Sequence, residues 1–307
     1  MSTSAVAAVD CGTNSTRLLI LDGSGRRLER RMTITRLGAG VDRRRSLDEL
    51  ALARTLEVLR GYAALARRHR VGRLRAVATS ALRDASDAEA FLGPAGEILG
   101  ARPEVIDGEE EGRLSFEGAT ADLAESCGPF LVLDIGGGST ELILGDKGGV
   151  GAAVSLDIGC VRVTERYLTS DPPTPDELEE ARSGIARVLA SGLGPPRRWQ
   201  PARQLIGLAG TVSALTVLSL GLAGFDEEAV HHARLQRSEV AGLAGRLAVM
   251  SLAERRELRG MEQARADVIL GGALVLEAAM GYLGWEELLV SEADILDGIA
   301  AGLLGTG

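Results

Sequence analysis

The sequence predicts an α/β protein built from two like domains. Three observations carry the prediction. The chain has 307 residues, and at about 100 to 200 residues per domain it can hold two cores. Short apolar runs alternate with amphipathic helical segments. An internal repeat aligns Ala7-Ala8-Val9-Asp10-Cys11-Gly12-Thr13-Asn14-Ser15-Thr16 with Leu131-Val132-Leu133-Asp134-Ile135-Gly136-Gly137-Gly138-Ser139-Thr140. An apolar strand, an aspartate, a small-residue turn and a second strand therefore occur twice. The domains are expected at 1–126 and 127–307, with a final helix near 294–306 packing back on the first.

In the first half, Ala5 to Val9 and Thr16 to Leu21 read as a hairpin with Gly12-Thr13-Asn14-Ser15 at its tip, and Leu28 to Ile34 as a third strand. Ser46 is placed to cap a helix running to about Arg68, with Leu47, Leu50, Leu52, Leu56, Leu59 and Leu65 at helical spacing. A strand at Leu74 to Ala78, a helix from Ser86 to Leu99, a strand at Glu104 to Ile106 and a helix opening after Asp107-Gly108 complete the alternation. In the second half, strands are expected at Phe130 to Leu133, Glu141 to Leu144, Ala152 to Leu156 and Gln204 to Leu208. Helices are expected at Val161 to Tyr167 and Pro175 to Leu189, with a surface loop at Ser191 to Pro201 and mainly helices thereafter.

Composition narrows the function. The net charge of −9 argues against a general binder of nucleic acid or of membrane surfaces, which needs a positive field. Arginines crowd the first quarter, from Arg26 to Arg75. They read first as a solvated face and second as a local patch for a polyanion. Cys11, Cys127 and Cys160 are odd in number and widely spaced, without a CxxC pair, so neither a disulfide framework nor a zinc cluster is supported. Met1 to Val9 lacks a charged leader, and no run reaches about 18 uninterrupted apolar residues, so a cytoplasmic protein is expected.

The repeated turn is the chemical signal. Turns rich in glycine expose backbone N–H groups that suit phosphate, and a carboxylate at the preceding strand end, Asp10 or Asp134, can hold Mg²⁺. Gly108-Glu109-Glu110-Glu111-Gly112-Arg113 puts three acids at a helix start. The macrodipole alone explains acids there, but one of them could also serve as the base for an attacking water. His69, His231 and His232 lack a paired pattern, and Ser139 lies outside a nucleophile elbow, so nucleophilic hydrolysis is disfavoured. Arg83 follows a strand and could clamp phosphate, while Gly207 to Ser213 resembles a third small-residue turn of open role.

The motifs around Asp10 to Leu18, Ala78 to Arg83, Val105 to Leu114 and Asp134 to Leu142 resemble those of the exopolyphosphatase/guanosine pentaphosphate phosphohydrolase (Ppx/GppA) family in its short two-domain form. Matches at Ile158 to Arg162 and Arg265 to Gly272 extend the resemblance and are assigned to architecture. The resemblance implies two ribonuclease H-like domains of the actin-like ATPase, sugar kinase and Hsp70 superfamily, with an active-site cleft between them. It implies Glu111 as catalytic base and Arg83 as the phosphoryl-binding arginine. It also implies Asn14, Ser15, Gly136, Gly137, Gly138, Ser139 and Thr140 as phosphate ligands, and Asp134 and Glu141 as handling Mg²⁺, for which Mn²⁺ could substitute; the reading of the turns adds Arg17 as a phosphate contact and Asp10 as a metal ligand.

The expected activity is hydrolysis of the terminal phosphoanhydride of inorganic polyphosphate, with guanosine pentaphosphate as second substrate and a homodimer as the expected assembly. Cys11 and Thr13 depart from the common first turn, Gly112 from the usual alanine, and the chain stops short of the long members' C-terminal helical domains. Two other readings remain at this stage. One is an ATP-dependent kinase of the same superfold, disfavoured by the glutamate-rich helix start. The other is a non-catalytic sensor of polyphosphate or alarmone, disfavoured by Glu111, Asp134 and Glu141.

Overall fold

The structure is a computed structural model, and it describes residues 4–305. The first three residues of the leader reading and residues 306–307 of the last helix lie outside the described residues. The chain divides into two compact units. The first runs to Gly118 and takes back the chain from Ala293; the second is Ala119–Glu292. The division thus falls before residue 126, and the returning C-terminal helix is counted within the first unit.

The first unit carries β1 (Val6–Cys11), β2 (Ser15–Leu21), β3 (Arg27–Ile34), α1 (Val41–Arg44), α2 (Glu49–Arg68), β4 (Arg73–Ala78), α3 (Ser80–Asp84), α4 (Glu89–Leu99), β5 (Glu104–Val105) and the start of α5 (Gly108–Thr120). The second carries β6 (Phe130–Ile135), β7 (Thr140–Asp146), β8 (Gly149–Leu156), α6 (Cys160–Tyr167), α7 (Pro175–Leu193), β9 (Gln204–Leu208), α8 (Ala209–Ser219), α9 (Glu227–Val230), β10 (Arg234–Gln236), α10 (Arg237–Ala248), α11 (Leu252–Arg256), α12 (Ile269–Leu283) and β11 (Glu287–Val290). The final helix, α13 (Ile295–Gly305), returns to the first.

Each unit is built on one mixed sheet, and the two sheets share an order. The first reads β3-β2-β1-β4-β5; the second, from its other edge, reads β8-β7-β6-β9-β11 with β10 added. In each, an antiparallel hairpin is followed by a parallel strand on its inner side, β1 with β4 and β6 with β9.

β1 is buried along its whole length because both faces of its sheet are covered. Side chains alternate, so Ala7, Val9 and Cys11 join the core under Leu59 and Phe91. Ala8 turns the other way, toward Ile295, Leu296 and Ile299 of α13. Asp10 shares that second face by register. Helix α13 also crosses α5 with backbone against backbone. A Cβ on Gly118 would stand 1.9 Å from the Asp294 carbonyl oxygen, and one on Gly298 2.1 Å from that of Leu114.

Local chemistry sets the helix starts. α2 is capped by Asp48, which accepts from the Ala51 N–H at 3.0 Å, two residues later than the Ser46 expected from sequence. The chain before it is held elsewhere, since the Leu47 N–H donates to Asp87 at 3.0 Å. The helix then buries Thr55, Leu59, Tyr62, Ala63 and Ala66, one face at helical spacing. Burying a side chain such as Leu59 contributes about 1.5–3 kcal/mol.

The expected loop at Ser191 to Pro201 instead contains the end of α7 and a short 3-10 turn, Pro196–Arg198, with Trp199 buried beneath it and donating from Nε1 to the Leu193 carbonyl at 3.1 Å. The strands β10 and β11 lie where mainly helices were expected. Among the described residues no helix is long and apolar enough to cross a membrane.

α7 begins in a capping box, with Pro175 in its first turn. The Glu177 carboxylate accepts from the Thr169 N–H and hydroxyl at 3.1 and 2.6 Å, the Ser170 N–H at 3.0 Å and the Thr174 N–H at 2.8 Å. Those bonds, that of the Thr169 hydroxyl foremost, pull its carboxyl down to about 2. A group depressed on folding stabilises the native state above its unfolded pKa, and the contribution is lost as pH falls through the folded value. Glu177→Gln is therefore expected to lower stability at pH 7, and the gap from the native protein should close between about pH 4.5 and 2. Thermal unfolding across that range checks it; a gap independent of pH would contradict the assignment.

Candidate active site

The two hairpin turns close alike. The Gly12 N–H donates to the Ser15 carbonyl, and the Gly136 N–H to that of Ser139, each at 3.0 Å. This closure puts Asp10 directly across from Arg17 in the β1–β2 pair and Asp134 directly across from Glu141 in the β6–β7 pair. The parallel neighbours end beside the turns. Cys11 pairs with Ala78, so the first turn lies next to the start of α3, and Asp134 pairs with Leu208, so the second lies next to Ala209-Gly210. Carboxyl ends of parallel strands are where open α/β sheets bind ligands.

In the first unit the chain after β3 clasps the turn. The Thr35 and Arg36 N–H groups donate to the Asn14 carbonyl at 3.1 and 2.9 Å, the Gly38 N–H donates to that of Thr13 at 2.9 Å, and the Thr13 and Ser80 hydroxyls share a bond of 2.8 Å. Asn14 is buried, and neither atom of its side-chain amide has a hydrogen-bond partner among the described residues; the same holds for Oδ1 of Asp10. Such atoms ask for a ligand, because a buried polar group left unpaired is unfavourable by about 1–3 kcal/mol. Arg17 donates to the other oxygen, Oδ2, from Nε at 2.9 Å and Nη2 at 2.7 Å. Burial nevertheless outweighs Arg17 and pushes the Asp10 carboxyl up.

The three glutamates of the α5 start have different surroundings. Glu109 is exposed. Glu110 is held by Arg113 at 2.8 Å and Arg75 at 3.2 Å, and the Arg113 bond foremost holds its carboxyl below the usual range. Glu111 points to Arg83, whose Nη1 donates to Glu111 Oε2 at 2.7 Å and to the Ile106 carbonyl at 2.9 Å. Arg83 reaches it from α3, at the end of β4, and Glu111 comes from the helix that follows β5. The structure thus brings Glu111 and Arg83 into contact and gives Glu110 to a separate ion network.

In the second unit the carbonyls of the turn are used by α6. The Cys160 N–H donates to Gly136 at 3.0 Å, the Val161 and Arg162 N–H groups donate to Gly137 at 2.9 and 3.1 Å, and Arg162 Nε donates to Gly138 at 2.6 Å. In a planar trans peptide the N–H points opposite to the carbonyl. The amides of Gly137, Gly138 and Ser139 are thereby turned away from α6, the arrangement of an anion nest. Asp134, Ser139, Thr140 and Glu141 are all buried. Ser155 donates to Glu141 Oε1 at 2.7 Å, and the Thr140 hydroxyl donates to the Ile158 carbonyl at 2.6 Å, so Thr140 is anchored by its side chain.

The third turn brings in a residue that the sequence analysis left to architecture. Ala209 adopts φ 67, a left-handed conformation rare for alanine, at the start of α8. The Arg265 guanidinium lies over the next residue, with Nη1 2.3 Å from where a Gly210 Cβ would stand. Arg265 is buried and donates from Nε to Glu262 at 3.3 Å. Its signal in the sequence was the Arg265-Ala266-Asp267 stretch, more than fifty positions beyond the turn it serves.

The model of the Ppx/GppA phosphatase family matches residues 20–306. The chain belongs to that family. It is 44% identical to exopolyphosphatase 2 of Mycobacterium tuberculosis over 99% of this chain and 100% of that protein. Among solved structures it is similar to an exopolyphosphatase-like protein, with a TM-score of 0.90 and 38% identity over 98% of this chain and 99% of that one. It is also similar to the Aquifex aeolicus Ppx/GppA family member, with a TM-score of 0.81 and 30% identity over 99% of each chain. The relative and the two solved structures each cover at least 98% of this chain, and the family model begins at residue 20, within β2.

One contact fixes the second turn from behind. A Cβ on Gly159 would stand 2.5 Å from the carbonyl carbon and oxygen of Gly137, backbone that cannot swing aside. Gly159→Ala is expected to lower stability by about 1–3 kcal/mol through forced displacement of the turn. Thermal unfolding measures this, and an unchanged melting temperature would show that the turn yields freely.

Proposed function

We propose that this Ppx/GppA protein hydrolyses the terminal phosphoanhydride of inorganic polyphosphate, with guanosine pentaphosphate as a second substrate. The observation that carries the reading is the Glu111–Arg83 contact at the strand ends beside the first glycine turn. A carboxylate held by one oxygen on a fixed guanidinium is oriented to take a proton from water. A guanidinium beside it can stabilise charge on the phosphoryl oxygens.

In the proposed reaction a water oxygen bonds to the terminal phosphorus as the bridging P–O bond breaks. Glu111 takes the proton of the water, the shortened chain leaves with the bridging oxygen, and orthophosphate is released. Within the first unit the buried amide of Asn14 would hold phosphate oxygens; within the second, the anion nest of Gly136 to Ser139 would do so, and Arg265 over the third turn would add a cationic contact. Arg17, offered from sequence as a phosphate ligand, is instead engaged with Asp10 and Asp294, and we assign it to holding Asp10.

The residues fit a divalent cation. Asp134 and Glu141 face one another as hard oxygen donors, and Asp10 has one buried oxygen without a hydrogen-bond partner among the described residues. Mg²⁺ or Mn²⁺ would be held by Asp134 and Glu141, with Asp10 the corresponding donor of the first unit. Such an ion neutralises phosphate charge in the transition state.

Orthophosphate release in Mg²⁺ from short polyphosphate, long polyphosphate, guanosine pentaphosphate and ATP tests the reading. The native protein is expected to release it from polyphosphate. Glu111→Gln should lower kcat by about 10²- to 10⁴-fold while retaining polyphosphate binding. Unchanged turnover in that variant would remove Glu111 from the mechanism, and no release from any substrate by the native protein would overturn the hydrolytic reading.

A further inference from the structure

Beneath the first turn lies a chain of buried and half-buried charges, of which the reading above uses only Asp10 and the Arg17 that holds it. Arg17 donates from Nε and Nη2 to the same oxygen of Asp10, Oδ2, and from Nη1 to Oδ2 of Asp294. Arg30 lies 3.3 Å from that Asp294 oxygen and donates to both oxygens of Asp297 at 3.1 and 2.9 Å. Asp294 Oδ1 accepts from the Leu296 N–H at 2.9 Å and so caps α13. Asp10 and Asp294 are both buried. The arginines come from β2 and β3, and the outer carboxylates from a helix start some 277 residues along the chain from Arg17.

The geometry at Asp10 is unusual for an arginine and a carboxylate. Their favoured pairing is fork to fork, with two parallel bonds that occupy both oxygens. Here both donors fall on Oδ2, and Oδ1 is left with no partner among the described residues although it is buried. The same guanidinium gives its third nitrogen, Nη1, to Asp294.

We propose that Asp294 is a positioning residue for Asp10: by drawing Nη1 of Arg17 toward α13, it keeps the guanidinium on Oδ2 and leaves Oδ1 open for a cation or its bound water. The proposal deepens the reading of the site given above and rests on it for the role of Oδ1. Buried ion networks add little net stability, because desolvation offsets their attraction, so what this one supplies is geometry. Arg30 and Asp297 complete the device. Arg17, with Arg30 acting in the same sense, keeps Asp294 ionised against its burial, and Asp297 accepts the Asp294 N–H at 2.8 Å, which fixes the cap.

Asp294→Asn tests it. The cap bond to Leu296 holds the amide oxygen, which turns the amide NH2 toward Arg17 and removes the acceptor of Nη1. The crystal structure of the variant should show Arg17 rotated onto both oxygens of Asp10, and Mn²⁺ affinity, read by the spin resonance of the free ion, should fall about 10- to 100-fold. The kcat for polyphosphate should fall with KM little changed. Asp294→Ser, which keeps a capping oxygen, is the second variant should the first not fold, with the same readouts.

Arg17 remaining on Oδ2 alone, or Mn²⁺ affinity equal to that of the native protein, would overturn the proposal. Absence of Mn²⁺ binding and of phosphate release in the native protein would instead overturn the hydrolytic reading. The orientation of Arg17 in the variant would still decide the positioning claim.

Discussion

A single hydrogen bond, made twice, organises this protein. The N–H of the first turn glycine closes on the carbonyl three residues on, from Gly12 to Ser15 and from Gly136 to Ser139. That closure sets the register of each hairpin, and the register places one carboxylate opposite its partner at each strand end. A slip of one residue would exchange the faces of the strand and carry Asp10 onto the core face that Val9 and Cys11 now hold. Everything chemical in the two units is arranged around these turns: the parallel strands that end beside them, the helices that follow, and the segments that clasp them from behind.

The two turns are nonetheless supported differently. The second is backed by the start of α6, whose N–H groups take up its carbonyls, so the turn itself is fixed by backbone and by the absence of a side chain at Gly159. The first is clasped by residues 35–38 and by Ser80 of α3, and its aspartate is reached through Arg17 by a helix from the far end of the sequence. Helix α13 also touches α5 backbone to backbone at Gly118 and Gly298. One element therefore sets both the carboxylate of the first turn and the helix that carries Glu111.

Much of this was legible in the sequence. The repeat of Asp, small residues and Ser-Thr exposed both hairpins, because such turns need those residue types in order. The acid-rich start of α5 was equally plain, but Glu109, Glu110 and Glu111 could be told apart only by resemblance, since their difference lies in Arg75, Arg83 and Arg113 and in exposure. The strands β10 and β11 were hidden because three or four residues carry too little periodicity to stand out from the helices around them. Asp48 displaced Ser46 as the cap of α2 because Asp87 holds the chain just before it. The Arg17–Asp294–Arg30 network had no local signal at all, since its members meet only once the C-terminal helix has returned.

The central claim is that water held by Glu111 attacks the terminal phosphorus of a polyphosphate chain. Single-turnover hydrolysis in water enriched in ¹⁸O tests it most directly. The account predicts one labelled oxygen in the released orthophosphate, with none in the shortened chain and none on the protein. Label in the shortened chain would place the attack on the inner phosphorus, and a phosphorylated protein would show a covalent intermediate; either result would contradict the mechanism.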